Sequence, residues 1–169
     1  MPILDENTLD FVSHSAAQTH RLGVRLGLLL QPGDVICLEG ELGTGKTCLT
    51  QGIGEGMGVV EPITSPTFAL IAEHHPPTAA PPLYHIDVYR LDRAVHEAVA
   101  LGLDEYLLGD GACVIEWADR ISSMLPRERL WISFRHLDIS KRGLVVTAMG
   151  ARFQELLRDF RQAAFGLGK

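Results

Sequence analysis

The sequence predicts an α/β fold, with a mostly parallel central sheet, helices on both faces and late antiparallel strands at one edge. Three observations predict it. Short apolar runs alternate with segments of helical period, the pattern of strands joined by crossover helices. Two of those runs, Val35-Ile36-Cys37-Leu38 and Cys113-Val114-Ile115-Glu116, are apolar without alternation, as strands covered on both sides are. A glycine-rich segment, 40–47, separates the first of these from a helical stretch.

Taken in order, Thr8–Val12 alternates with Leu9 and Phe11 on one face, which reads as a strand. Ser15-Ala16-Ala17-Gln18 has the spacing of a capping box, and Leu22, Leu26, Leu29 and Leu30 give the helix after it an apolar face. Gln31-Pro32-Gly33-Asp34 stops that helix and turns the chain into the strand Val35–Leu38. A second helix runs from Lys46 to about Gly56, with Leu49 and Ile53 four apart. Pro62–Thr67 reads as a loop and Phe68–Ala72 as a strand. His75–Pro82 holds four prolines in eight residues. It reads as a surface connection, since too little chain lies on either side for two cores. Leu83–Ile86 is the next strand, Ala94–Leu101 and Asp104–Leu108 are helical, and Gly109–Gly111 turns into the strand Ala112–Ile115. Leu130–Phe134 and Leu144–Thr147 read as antiparallel strands joined across Ser140–Gly143. Arg152–Phe165 closes as an amphipathic helix. The expectation is one domain over 1–169, with a core over about 8–148 and a C-terminal helix over about 151–165.

A chain of 169 residues can bury roughly two-thirds of its unfolded surface, and 46% apolar with 21% charged residues is an ordinary globular composition. No run approaches the ~18 apolar residues of a membrane helix; Leu22–Leu30 is short and holds Arg25. Asp5, Glu6 and Asp10 stand where a leader would carry positive charge. Cys37, Cys48 and Cys113, odd in number and widely spaced, read as reduced thiols. A cytoplasmic protein without a membrane segment is expected. So is the absence of zinc, because there is no CxxC and His74-His75 lacks partners at metal-site spacing. The net charge of −6, with Lys46, Lys141 and Lys169 as the only lysines, argues against an autonomous grip on nucleic acid. Phosphate neutralisation supplies most of that affinity.

Gly40-Glu41-Leu42-Gly43-Thr44-Gly45-Lys46-Thr47 matches G-x-x-x-x-G-K-[ST] in full. Each fixed position has a physical task. The glycines let the backbone turn around an anion with its N–H groups inward. Lys46 brings a point charge to the β- and γ-phosphates, and the Thr47 hydroxyl is a hard ligand for Mg²⁺. Lys46 also opens a helix, whose N-terminus favours negative phosphates. The four fixed positions recur by chance about once in a hundred chains of this length. The strand before and the helix after reduce that further, so ATP and Mg²⁺ on a P-loop fold is the reading. ATP is preferred to GTP because Asn7 is the only asparagine, and no [NT]KxD segment reads guanine. An LSGGQ signature is absent as well.

Such a site needs a carboxylate at the end of a neighbouring strand. Asp87 ends Leu83–Asp87 and Glu116 ends Ala112–Glu116, both at the edge where open α/β sheets bind ligands. From position alone each serves as well as the other, and each could instead cap the next turn or helix. Trp117 either stacks near a nucleotide or partner, or packs.

The order of GELGTGKT, Thr64-Ser65-Pro66-Thr67-Phe68, Tyr84-His85-Ile86-Asp87-Val88-Tyr89-Arg90-Leu91, Gly102-Leu103-Asp104-Glu105-Tyr106 and Ile115-Glu116-Trp117-Ala118-Asp119-Arg120 resembles the TsaE (YjeE) family. These are bacterial ATPases of tRNA threonylcarbamoyladenosine (t⁶A) synthesis, and the resemblance runs from about Ser13 to Ala148. It implies that the P-loop, from Gly40 to Thr47 and on to Cys48, holds ATP, and that Thr47 and Glu116 bind Mg²⁺. It implies a nucleotide-sensitive loop at Ser65, Pro66 and Thr67, with Asp87 on the γ-phosphate side, orienting water or ordering that loop. Lys46 and Asp87 would then be the catalytic pair. Thr19 would border the adenine, and Arg142 would assist from the other side. Cys48 departs from the hydroxyl residue usual after Lys-Thr, and His75–Pro82 is richer in proline than expected. The partners implied are the TsaB–TsaD pair, with tRNA touched only indirectly.

Two other functions compete. A small-molecule kinase would use Arg90, Arg93, Arg120, Arg127 or Arg129 as phosphate clamps, against their reading as solvated charges. A nucleotide-gated binding module would bind ATP without useful turnover.

Overall fold

The computed structural model describes residues 3–65 and 70–166. In chain order its elements are β1 (Ile3–Leu4), β2 (Thr8–Ser13), α1 (Ala16–Gly27), β3 (Val35–Glu39), α2 (Lys46–Met57), β4 (Ile71–His74) and β5 (Leu83–Asp87). There follow α3 (Ala94–Ala100), α4 (Leu103–Leu107), β6 (Ala112–Glu116), a 3-10 helix (Ala118–Met124), β7 (Arg129–His136), β8 (Arg142–Met149) and α5 (Ala151–Phe165). One sheet takes all eight strands in the order β1-β2-β8-β7-β3-β6-β5-β4. Its centre, β7-β3-β6-β5, is parallel.

Antiparallel strands flank that centre on both sides, β4 beyond β5 and β8, β2 and β1 beyond β7. β8 therefore lies inside the sheet. Its outer ladder is taken by β2, with Leu9 opposite Val146, so the late hairpin exposes no long unpaired strand. The connection 75–82 is the loop of the β4–β5 hairpin, where prolines, lacking an N–H, stay out of the ladder. Of the expected strand Phe68–Ala72, Ile71 and Ala72 fall in β4, and Phe68 and Ala69 lie outside the described residues. The β7–β8 turn closes through Leu137 N–H to Lys141 O at 3.1 Å, which puts Gly143 in the strand opposite Arg135. β1 and the 3-10 helix were not expected from the sequence.

Strand alternation divides the core in two. Ile36, Leu38, Val114 and Leu130 face α1, α2 and α5, while Val35, Cys37, Ile86 and Ile115 face α3, α4 and the 3-10 helix. The Ser15 hydroxyl caps α1 by accepting from Gln18 N–H, as a capping box does, while the Gln18 side chain accepts from the N–H of His14, one residue before the cap. α5 is pinned by Arg152, which holds the buried Asp34 carboxylate through two bonds of 3.0 and 2.7 Å.

α1 and α2 pack backbone to backbone. A Cβ added at Gly23, Gly27, Gly52 or Gly56 would run into the carbonyl oxygens of Leu49, Ile53, His20 and Val24 respectively. The matched order of these contacts means the helices run in the same direction, so both N-termini reach the same edge of the sheet. Gly52→Ala is expected to destabilise the protein by about 1–3 kcal/mol, because the helices must part to admit one methyl group. Denaturant unfolding measures it; an unchanged midpoint would mean the helices separate freely.

Candidate nucleotide site

β3 ends at Glu39 and the chain turns through 40–45 before α2 begins at Lys46. Gly43 and Gly45 adopt φ of +77° and +106°, a region that side chains rarely tolerate. Within this turn the Lys46 ammonium donates to Gly40 O at 2.6 Å and Glu41 O at 2.9 Å, and Thr44 Oγ1 donates to Glu41 O at 2.8 Å. Lys46 is buried, and its Nζ lies 4.2 Å from the centre of the Trp117 ring. Trp117 itself has φ +62° and rests against Tyr89, ring centres 4.6 Å apart. It is thus a cover over the lysine.

Alternation along β5 and β6 brings the acids to the same place. Asp87 and Glu116 are register partners on adjacent parallel strands, on the face toward α2. Glu116 Oε1 accepts from Thr47 Oγ1 at 2.9 Å, and Thr47 Oγ1 also lies 2.9 Å from Ser65 Oγ. Asp87 Oδ1 accepts from Tyr89 N–H at 2.9 Å. Lys46, Thr47, Ser65, Asp87, Glu116 and Trp117 line one cavity of about 490 Å³, with Leu42 at its mouth. Pro66 and Thr67 lie outside the described residues.

A second cavity, about 350 Å³, lies across the loop and shares Gly43, Gly45 and Cys48 with the first. Thr19 and Arg142 both line it, beside Ser15 and Ile139. Thr19 Oγ1 is 2.7 Å from Ser13 Oγ, and Arg142 donates to Gly43 O at 3.3 Å. Cys48 Sγ donates to Ala16 O at 3.3 Å, tying α2 to α1.

Burial pushes the Lys46 ammonium below its usual range, against the opposing pull of Glu116, Asp87 and Asp119. Burial also pushes the Asp87 carboxyl up; the Tyr89 N–H opposes this and the Glu116 charge adds to it. A carboxyl raised in the folded state stabilises the fold below its unfolded pKa, and that contribution is lost as pH rises through the folded pKa. At neutral pH the ionised Asp87 is therefore a net burden. Asp87→Asn is expected to raise the melting temperature of the protein without nucleotide at neutral pH, by an amount that solvent screening keeps small. The gain should shrink in acid. Melting curves at the two pH values check it, and a lower melting temperature at neutral pH would contradict it.

Two residues at or behind the cavity, His85 and Tyr89, escaped the sequence reading as site components, and Arg90 entered it only as a candidate clamp of the competing kinase reading. His85 donates its ring Nε2 toward Glu116 Oε2 at 2.5 Å, and its place two residues before Asp87 on one strand face was the available signal. Tyr89 and Arg90 reach the cavity because Arg120 donates to the carbonyls on either side of Arg90, those of Tyr89 and Leu91. No local pattern reveals a bond across about thirty residues. Arg90 is accordingly a cation at the cavity, while Arg120 is spent on the backbone.

The Thr47 hydroxyl and Glu116 carboxylate are hard oxygen donors. Mg²⁺ commonly takes one or two protein oxygens and fills its octahedron with water and phosphate, so this donor set fits it. Among the described residues no three His, Cys, Asp or Glu side chains gather as an all-protein cage, and no helix is long and apolar enough to cross a membrane.

A parallel sheet whose first central strand runs into this glycine loop and a helix opened by Lys-Thr defines a P-loop fold. Residues 13–144 match the family described as "Threonylcarbamoyl adenosine biosynthesis protein TsaE". The chain belongs to the TsaE family. It is 44% identical over 129 residues to the tRNA threonylcarbamoyladenosine biosynthesis protein TsaE of Bacillus subtilis (strain 168), covering 76% of this chain and 78% of that one. With the Treponema pallidum (strain Nichols) protein of the same name it shares 44% over 135 residues, 80% of this chain and 97% of that one. The crystal structure of Bacillus subtilus YdiB superposes with a TM-score of 0.76 at 36% identity, covering 96% of this chain and 97% of the other.

Proposed function

We propose that the chain is a Mg²⁺-dependent ATPase of tRNA threonylcarbamoyladenosine synthesis, slow alone and driven by a TsaB–TsaD pair that it resets or releases. The observation that carries the reading is the convergence of Lys46, Thr47, Asp87 and Glu116 on one cavity at the end of β3, β5 and β6. Membership of the TsaE family supplies the pathway.

Lys46 neutralises charge on the β- and γ-phosphates, and the loop N–H groups with the α2 N-terminus hold the rest. Thr47 and Glu116 hold Mg²⁺, whose chemistry is to draw charge from the phosphate oxygens. Asp87, whose carboxyl faces the same space, orients the attacking water or orders the Ser65–Thr67 loop. Thr19 and Arg142 border the nucleoside in the second cavity. The acidic net charge suits a component that leaves tRNA contact to its partners.

The deciding experiment is t⁶A formation on tRNA over several turnovers by purified TsaB–TsaD, with and without the chain. Sustained modification is expected only with it, and equal yields would overturn the reading. Glu116→Gln keeps shape and hydrogen bonding but removes charge, so Mg²⁺-dependent phosphate release should fall about 10²–10³-fold with the melting temperature little changed. An unaltered Mg²⁺ requirement would return Glu116 to a structural role.

A further inference from the structure

We propose that His85 is the positioning residue of the metal-binding carboxylate: its ring fixes Glu116 so that one oxygen is turned to Thr47 and the ion. This rests on the Mg²⁺ reading above and extends it to a side chain behind the cavity.

The geometry divides the two carboxylate oxygens between two neighbours. Oε2 takes the His85 ring at 2.5 Å, and Oε1 is the oxygen nearer Thr47 Oγ1, at 2.9 Å against 3.2 Å for Oε2. Both side chains are out of solvent, at 0% and 3% exposure, so water does not compete for the bond. His85 Nδ1 has no partner among the described residues. Among the described residues the ring's one polar engagement is Glu116, whose carboxylate only accepts, so Nε2 carries the proton that it donates.

The need for such an anchor comes from the neighbours. Glu116 has three side-chain torsions, and Asp87 stands beside it in register with charge of the same sign. Repulsion turns Glu116 away from Asp87 unless something holds it. His85 shares the Asp87 face of β5 and turns on only two torsions, so it can hold the carboxylate from behind at little entropic cost. Donors behind a metal-binding carboxylate commonly alter metal affinity about 10–100-fold when removed.

The test titrates Mg²⁺ into the protein with a fluorescent, non-hydrolysable ATP analogue and reads the midpoint of the Mg²⁺-dependent gain in affinity. Analogue affinity in chelator and the melting temperature are measured beside it. His85→Leu is expected to raise the midpoint about 10–100-fold with affinity in chelator unchanged. His85→Gln, whose amide nitrogen reaches the place of the ring Nε2, should recover most of the loss, and the shorter His85→Asn should not. Should His85→Leu fail to fold, the Asn and Gln variants decide alone. His74 serves as control, since it pairs with Glu61 at 2.8 Å away from the cavity and also leaves one nitrogen bare. His74→Leu should not move the midpoint. An unmoved midpoint in His85→Asn, or an equal loss with and without chelator, overturns the role of His85. Wild-type protein whose affinity ignores Mg²⁺ would instead overturn the metal reading itself.

Discussion

Steady-state phosphate release by the isolated chain is expected to be slow, and titrating in the TsaB–TsaD pair should raise it by about 10³–10⁵. Hydrolysis needs a positioned water and neutralised transition-state charge as well as bound nucleotide. Among the described residues the main cavity has no glutamine to orient water. Gln51, the nearest after the loop, is bonded to Ile63 O at 2.9 Å. Lys46 is held by its own loop's carbonyls under Trp117, and Arg90 is exposed and solvated. Both cations are thus short of the task without a further contact. Docking at the Ser65 and Asp87 edge would supply that contact where the γ-phosphate is sensed. Fast turnover that ignores the partners would sink the idea and favour the kinase reading.

Lys46→Ala should lower partner-stimulated turnover by about 10²–10³ and weaken nucleotide binding, read by titrating a fluorescent analogue. Among the described residues Lys46 is the one lysine at the cavity, and its bonds to Gly40 O and Glu41 O also hold the turn closed. Lys46→Arg should fare little better. A planar guanidinium offers a fork where two carbonyls and the Trp117 ring surround a compact ammonium, and the loop needs a point charge. Wild-type rates in Lys46→Ala would count against the whole site.

Much of this arrangement was legible because it obeys local rules. Continuous apolar runs gave β3 and β6, the glycine spacing gave the loop, and strand period put acids at the ends of β5 and β6. The features that escaped depend on pairing between distant segments. The antiparallel flank beyond β7 requires knowing that β2 pairs with β8, about 135 positions later. The left-handed turn at Trp117, and the 3-10 helix after it, have no glycine or proline to announce them. Arg90 reads as a solvated charge unless Arg120 is known to hold the backbone beside it. Sequence leaves Trp117 undecided between stacking and packing, and its position over Lys46 answers to neither alone.

At the glycine contact α1 and α2 meet backbone to backbone, with no room for a side chain to slide or repack there. α1 brings Ser15 and Thr19 to one cavity, and α2 brings Lys46, Thr47 and Cys48 to the other or to both. Those walls accordingly form a single rigid jaw. The opposing jaw is the strand ends bearing Asp87 and Glu116. Any opening or closing of the site must hinge between the two, across the Thr47–Glu116 hydrogen bond, rather than within the helical pair.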